Sequence, residues 1–198
     1  MSGEPLDDAA LDQLFREARS YNGWLDRDVT EKQIHAIHAL MKMGPTSANQ
    51  QPARLVWCKS AEAKARLAAH AMDKNQPKIM GAPVCVIVGM DLAFHEQLPW
   101  LFPHTDARSW FAGSEDLRKA NAFRNSSLQG AYLMLAARAL GLDCGPMSGF
   151  DGTAVDAEFF ADQPSVRSNF ICAIGYGDPA SIFGRSPRPE FDVFNRVL

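Results

Sequence analysis

A chain of 198 residues with 46% hydrophobic and 22% charged types can fill one core, which excludes a disordered segment. Its formal net charge of -3, without any run of lysine and arginine, offers no basic stripe for nucleic-acid phosphates, so no nucleic-acid partner is expected. Residues 1–8 lack a basic start and an apolar stretch, and the longest apolar run, 83–90, is too short to cross a bilayer; one domain over 1–198, soluble, cytoplasmic and not membrane-bound, is expected.

The spacing of Leu11, Leu14, Phe15 and Ala18 predicts a first helix ending near Ser20, before Asn22-Gly23. Thr30 with Gln33 three residues on reads as a capping box, and Ile34, Ile37, His38 and Met41 make one helical face that stops at Gly44-Pro45. A short strand over 54–59, a helix over 60–73 and a strand over 83–88 buried on both faces follow. Periodicity fails across 91–113, where Pro99, Trp100, Phe102, Pro103, Trp110 and Phe111 predict a long loop or broken helices serving as a lid. A long helix begins at Ser114 or Asn121 and runs to Leu140, where Gly141 ends it; its alanine-rich middle permits close packing. A turn over 145–149, a short helix capped by Thr153, a strand over 168–174 and a tail rich in Gly, Pro and Arg complete the chain. Cys58, Cys85, Cys144 and Cys172 lie far apart without a Cys-x-x-Cys pair, so they read as reduced, buried thiols and not as zinc ligands or disulfides.

The loop 44–52, Gly-Pro-Thr-Ser-Ala-Asn-Gln-Gln-Pro, carries backbone amides, two hydroxyls and several carboxamides but no nucleophile or general base. It reads as a cradle for a polar, phosphate-bearing ligand that brings its own chemistry. Other motifs are weaker. The Gly-x-Gly-x-x-Ala pattern over 175–180 follows a strand, but Pro179, Gly184, Pro187 and Pro189 oppose the helix a dinucleotide fingerprint needs. His35 and His38 share a helix without an acidic or cysteine partner, so no metal is expected. Ser148 lacks the nucleophile-elbow pattern because Pro146 stands in place of its first glycine. The anion-friendly places are Arg19-Ser20, the cradle, and Arg185 with Arg188, whose guanidinium forks suit phosphate.

In chain order these pieces resemble the nitroreductase family of FMN-dependent oxidoreductases: Ala-Arg-Ser-Tyr-Asn-Gly-Trp over 18–24, Pro-Thr-Ser-Ala-Asn-Gln-Gln-Pro over 45–52, the alanine-rich helix leading into 139–151, and Gly-Arg-Ser-Pro-Arg over 184–188. The wording of 22–24, 44–49, 102–111 and 123–127 is most similar to the malonic semialdehyde reductases, or 3-hydroxypropanoate dehydrogenases, of pyrimidine utilisation. The resemblance implies an α+β fold: a central mixed, mainly antiparallel sheet flanked by helices, with a long dimer-forming helix. It implies a homodimer with FMN at the interface and NADH or NADPH as electron donor. Arg19, Ser20 and Asn22 would face the FMN phosphate or the pyrimidine edge, and Pro45, Thr46, Ser47 and Asn49 would reach it from the partner subunit. Asn75 and Lys78 would contact ribityl chain and ring, Pro146, Met147, Ser148 and Gly149 would pass the reactive face, and Arg185 with Arg188 would hold the phosphate. Ser148 replaces a glutamate common in the family. The implied reaction is ping-pong hydride transfer through flavin N5, with His104, Arg108 and Arg124 as candidates for a substrate carboxylate. A broad nitro or quinone reductase and a non-catalytic flavin-binding or sensing protein are the alternative readings.

Overall fold

The computed structural model describes residues 3–198; Met1 and Ser2, part of the N-terminal stretch considered above, lie outside the described residues. The chain opens with α1 (Asp8–Leu11), which continues as a π-helical turn over Asp12–Arg16. This first helix therefore ends earlier than its periodicity predicts and leaves Arg19 to Asn22 outside it. The capping box at Thr30 and Gln33 is formed and starts α2 (Glu31–Met41), which buries Ile37 and Met41 while His38 stays exposed. After a 3-10 turn at Ser47–Asn49 come β1 (Ala53–Cys58), α3 (Ala61–Ala69), α4 (Gln76–Gly81) and β2 (Val84–Asp91). Pro77 fits in the first turn of α4, where no amide hydrogen is needed.

The stretch expected as loop or broken helices contains a 3-10 turn (Phe94–Gln97), α5 (Leu98–Leu101) and α6 (Ser109–Ala112) around the buried Phe94, Leu98 and Phe111. Ser114 caps α7 (Glu115–Ala139), and Gly141 follows it with a left-handed φ of +74°. The turn expected over 145–149 gives way in its first half to β3 (Asp143–Met147), where Pro146 is tolerated because β3 is an edge strand. Asp151, and not Thr153, caps α8 (Gly152–Phe159), accepting from Ala154 N at 3.1 Å. β4 (Val166–Gly175) and the four-residue α9 (Phe191–Phe194) complete the order.

The four strands lie in the order β1-β2-β4-β3, every neighbouring pair antiparallel. The mixed sheet of the sequence reading reduces to one isolated parallel bridge, Ser20 with Cys144. The first five residues of β2 are fully buried because both faces of the sheet are covered: α2 and α7 on one, α3 and α8 on the other. No helix among the described residues is long and apolar enough to cross a membrane. All four cysteines are free and buried; burial pushes Cys58 up to about 11 and Cys85 to about 12, and Cys172 is raised further by its hydrogen bond with Cys144 and by burial.

Two consequences are measurable. A Cβ on Gly145 would sit 2.5 Å from the backbone oxygen of Tyr21, where neither partner is a flexible side chain. Gly145→Ala should therefore lower stability in urea by about 1–3 kcal/mol, as overpacking of tight contacts does. All four thiols are buried in the folded chain, so a thiol reagent should label them only after unfolding. Because the unfolded chain ionises first, stability should fall as pH rises from the ordinary thiol range, about 8.5, toward the folded values.

Candidate cofactor site

The segment after the first helix is drawn alongside β3. Tyr21 N donates to Cys144 O at 3.1 Å, and Leu25 N donates to Tyr176 O at 2.8 Å. The tail then folds back over this segment. Asn22 Nδ2 donates to Ser181 O at 3.0 Å, Arg19 donates to Phe183 O, and Arg185 Nη2 donates to Arg16 O at 2.6 Å. Residues from both ends of the chain thus enclose a cavity of about 340 Å³ lined by Arg19, Ser20, Arg138, Phe183, Arg185 and Arg188. None of these four arginines has a carboxylate partner among the described residues, although most other arginines of the chain do. Guanidinium forks crowded without counter-charge make an anion site, with phosphate the best geometric match.

Phe183 also borders a second, wider cavity of about 780 Å³, so the two are neighbours that share a wall residue, and together they are termed the trough. Asn22, Asn75, Lys78 and residues 146–149 line it, as the sequence resemblance implies, and Met72 and Lys74 join them. The turn between α3 and α4 forms one wall, held by Met72 N donating to Gly149 O at 3.0 Å and by an Ala71–Phe150 bridge. Asn75 is buried, and its Nδ2 donates to Gly149 O at 3.0 Å, which fixes the carboxamide at the cavity wall. Lys74 and Lys78 have no acidic partner among the described residues. Sequence reasoning missed Met72, Lys74, Arg138 and Phe183, since each reads as an ordinary helix-end or tail residue; only the cation at Lys74, next to Asn75, was a signal.

The cradle lies elsewhere in the same chain. Thr46, Ser47 and Asn49 do not line the trough; Asn49 and Gln51 border a separate cavity of about 620 Å³ with Arg54, Trp57, Trp100 and Gln129. Ala48, Asn49 and Gln51 all have left-handed φ, at +47°, +50° and +43°. For Ala48 and Gln51 that conformation costs about 1–2 kcal/mol each. The expected ligand groups are mostly engaged within the fold. Thr46 Oγ1 accepts from Gln51 N at 3.2 Å, the Asn49 carboxamide donates to Leu101 O at 2.8 Å and accepts from Gln51 Nε2 at 2.9 Å, and Pro45 O accepts from Tyr132 at 3.0 Å. The hydroxyl of the exposed Ser47 has no partner among the described residues, while its N–H donates to Asn125 Oδ1 at 2.9 Å.

The substrate candidates are likewise apart from the trough within one chain. Arg108 forms a two-pronged ion pair with Glu96, at 2.7 and 2.8 Å, which holds the Glu96 carboxyl below its usual range. Asp106, two residues before Arg108, does not pair with it and caps the turn at Ser109. His104 packs edge-on against Phe102, with ring centroids 5.1 Å apart, and Arg124 is exposed on α7 without a carboxylate partner among the described residues. Desolvation chiefly pushes the buried His95 imidazole below its ordinary range. Among the described residues no cluster of His, Cys, Asp and Glu could hold a metal ion. After β4 a 3-10 turn at Pro179–Ser181, and no dinucleotide helix, follows Gly177, whose N–H donates to Asp143 at 3.0 Å.

The sequence profile described as Nitroreductase family matches residues 4–177. A protein of Burkholderia lata, provisionally named an NADH dehydrogenase/NAD(P)H nitroreductase, is 62% identical over 97% of this chain and 98% of its own length. One from Stenotrophomonas maltophilia with the same provisional name is 57% identical over 97% of each chain. Among solved structures, a provisionally named nitroreductase of Exiguobacterium sibiricum in complex with FMN superposes with a TM-score of 0.83 at 20% identity, covering 99% of this chain and 100% of its own. The enone reductase CLA-ER gives a TM-score of 0.85 at 19% identity, over 98% of this chain and all of its own. At these identities the two structures speak to the fold alone.

Proposed function

This chain belongs to the nitroreductase family, and on that premise we propose that it is an FMN-dependent NAD(P)H oxidoreductase whose trough holds the flavin. The observation that carries the reading is the trough itself: a small cavity lined by four arginines without a carboxylate partner among the described residues adjoins a wide one with carboxamide and lysine walls. A phosphate on a flexible arm attached to a flat, polar-edged ring has that shape and charge. Arg19, Arg138, Arg185 and Arg188, with Ser20, would take the phosphate. Asn22, Asn75 and Lys78 would meet the polar edge of the ring, and Pro146, Met147, Ser148 and Gly149 would form the wall beside it.

Bound there, FMN supplies the hydride carrier between NAD(P)H and an oxidised small molecule. Asn75 orients, because its carboxamide is fixed by Gly149 O. Lys78 would hold a preorganised positive charge beside the ring's polar edge. Exposed Ser148, in place of a carboxylate, keeps that wall neutral.

A homodimer completes the site in this reading. The cradle, which lies away from the trough in its own chain, would close the trough of the partner subunit. Exposed apolar side chains at Leu40 and Met43 beside α2, at Leu117, Phe123 and Leu128 on α7, and at Phe191 and Phe194 in the tail supply surface for such pairing. Residues 91–113 would then border the shared site as its lid.

For the acceptor, malonic semialdehyde is the first reading. It rests on the sequence resemblance and on Arg124 and His104, which have no ion-pair partner among the described residues, whereas Arg108 would have to leave Glu96. A broad nitro or quinone reductase is the second reading, favoured by the aromatic cluster in which Phe102 and Trp110 lie 6.2 Å apart with Trp100 75% exposed.

Arg185→Ala should weaken FMN binding roughly ten- to hundredfold, the loss of one charged hydrogen-bonding group, while leaving riboflavin binding unchanged; equal effects on both flavins would remove the phosphate assignment. Steady-state kcat/KM for malonic semialdehyde against a nitroaromatic separates the two acceptors, and Arg124→Ala should raise KM for the aldehyde acid alone.

A further inference from the structure

A run of side-chain carboxamides joins the cradle to the central helix. Asn125, 1% exposed on α7, accepts from Ser47 N at 2.9 Å and donates to Gln50 Oε1 at 3.0 Å and Asn121 O at 2.9 Å. Gln50, fully buried, donates in turn to Asn121 Oδ1 at 3.3 Å. One turn further along α7, Gln129 accepts from Ala53 N at 2.8 Å and donates to Gln51 Oε1 at 2.6 Å. Gln51 passes the connection to Asn49 Oδ1 at 2.9 Å, and Asn49 ends it on Leu101 O of α5. Most of these links fasten a residue of the strained stretch 47–51, which holds three left-handed side-chain-bearing residues. Core polar groups this numerous are kept where they specify one conformation, and strain of this kind gathers where a site needs a fixed shape.

We propose that Asn125 and Gln129 are positioning residues for the flavin site: from α7 they set the conformation of the cradle, and so the direction in which the Ser47 hydroxyl and the loop backbone face the cofactor held by the partner subunit. This rests on the functional reading above. The same chain of bonds reaches Leu101, so α7 registers the cradle against the aromatic segment as well as against the sheet. Neither residue touches the flavin; they act through Ser47, Gln50 and Gln51.

The test uses full-length Gln129→Met and Asn125→Leu, near-isosteric changes that remove the links, with Asn169→Leu as control. Asn169 donates to Ser126 and Ser127 on the same helix, at 2.9 and 3.0 Å, and has no bond to the cradle. Amide exchange in the flavin-free protein, FMN affinity from fluorescence quenching, and the visible circular dichroism of bound FMN are measured for each. The expected result is faster exchange at Ser47 and Gln51, roughly tenfold weaker FMN and an altered dichroic spectrum in the two cradle variants, while Asn169→Leu matches the wild type in all three. If one variant fails to fold, the other decides. Faster exchange with unchanged FMN affinity and spectrum overturns the proposal, as does an equal loss of FMN in Asn169→Leu. A wild-type protein whose Ser47 amide is protected but which takes up no FMN overturns the functional reading and this proposal together.

Discussion

Four guanidinium groups converge beside the start of β3 with no carboxylate among the described residues to neutralise them. Charges of one sign packed into a small cavity repel, and the fold tolerates them because Arg19, Arg138 and Arg185 each donate to backbone carbonyls that orient the forks without cancelling the charge. That arrangement requires the residues after the first helix and the C-terminal tail to meet, which the Asn22–Ser181 and Arg19–Phe183 contacts accomplish. It also requires β3 to be an edge strand, so that residues 20–24 can lie along it and its far end can border the wider cavity. This cluster of cations therefore accounts for the tail's path, the bare backbone approach at Gly145 and the place of residues 146–149.

The cradle poses the complementary constraint. A loop with left-handed Ala48, Asn49 and Gln51 is held in shape by α7, whose buried side presents Asn121, Asn125 and Gln129 where an ordinary core helix would present leucine or valine. The long helix is thus both a core element, through Leu133, Ala136 and Ala137, and the frame for a polar loop. Its divided character explains why it is so poor in large apolar residues for its length.

Much of this was legible in sequence, for identifiable reasons. The capping box at Thr30 and Gln33, the doubly buried run in β2 and the terminator at Gly141 are local signals, and local hydrogen bonding or burial enforces them. Arg19, Asn75, Lys78 and Arg185 emerged from motif order, and the fold brings them to one trough. Illegible features were those decided by distant partners. Residues 145–149, with Gly145, Pro146 and Gly149, read as a turn because nothing nearby reveals that 143–147 pair with β4 residues 24 to 32 positions on. Arg108 pairs with Glu96 and not with adjacent Asp106, because the broken helices of the aromatic segment bring two arms together. Phe183 and Arg138 join the trough only once the tail has folded back.

The central claim is that each trough is closed by the other chain's cradle. Mixed dimers test it most directly, combining Arg185→Ala as a trough lesion with Ser47→Trp as a cradle lesion. With the two substitutions on opposite chains of a heterodimer, a shared site leaves one trough intact and one doubly damaged, so one tightly held FMN per dimer is expected. With both on one chain paired with wild type, each shared site carries one lesion and no tight FMN should remain. The reverse pattern, tight FMN only when both substitutions sit on one chain, would contradict the account.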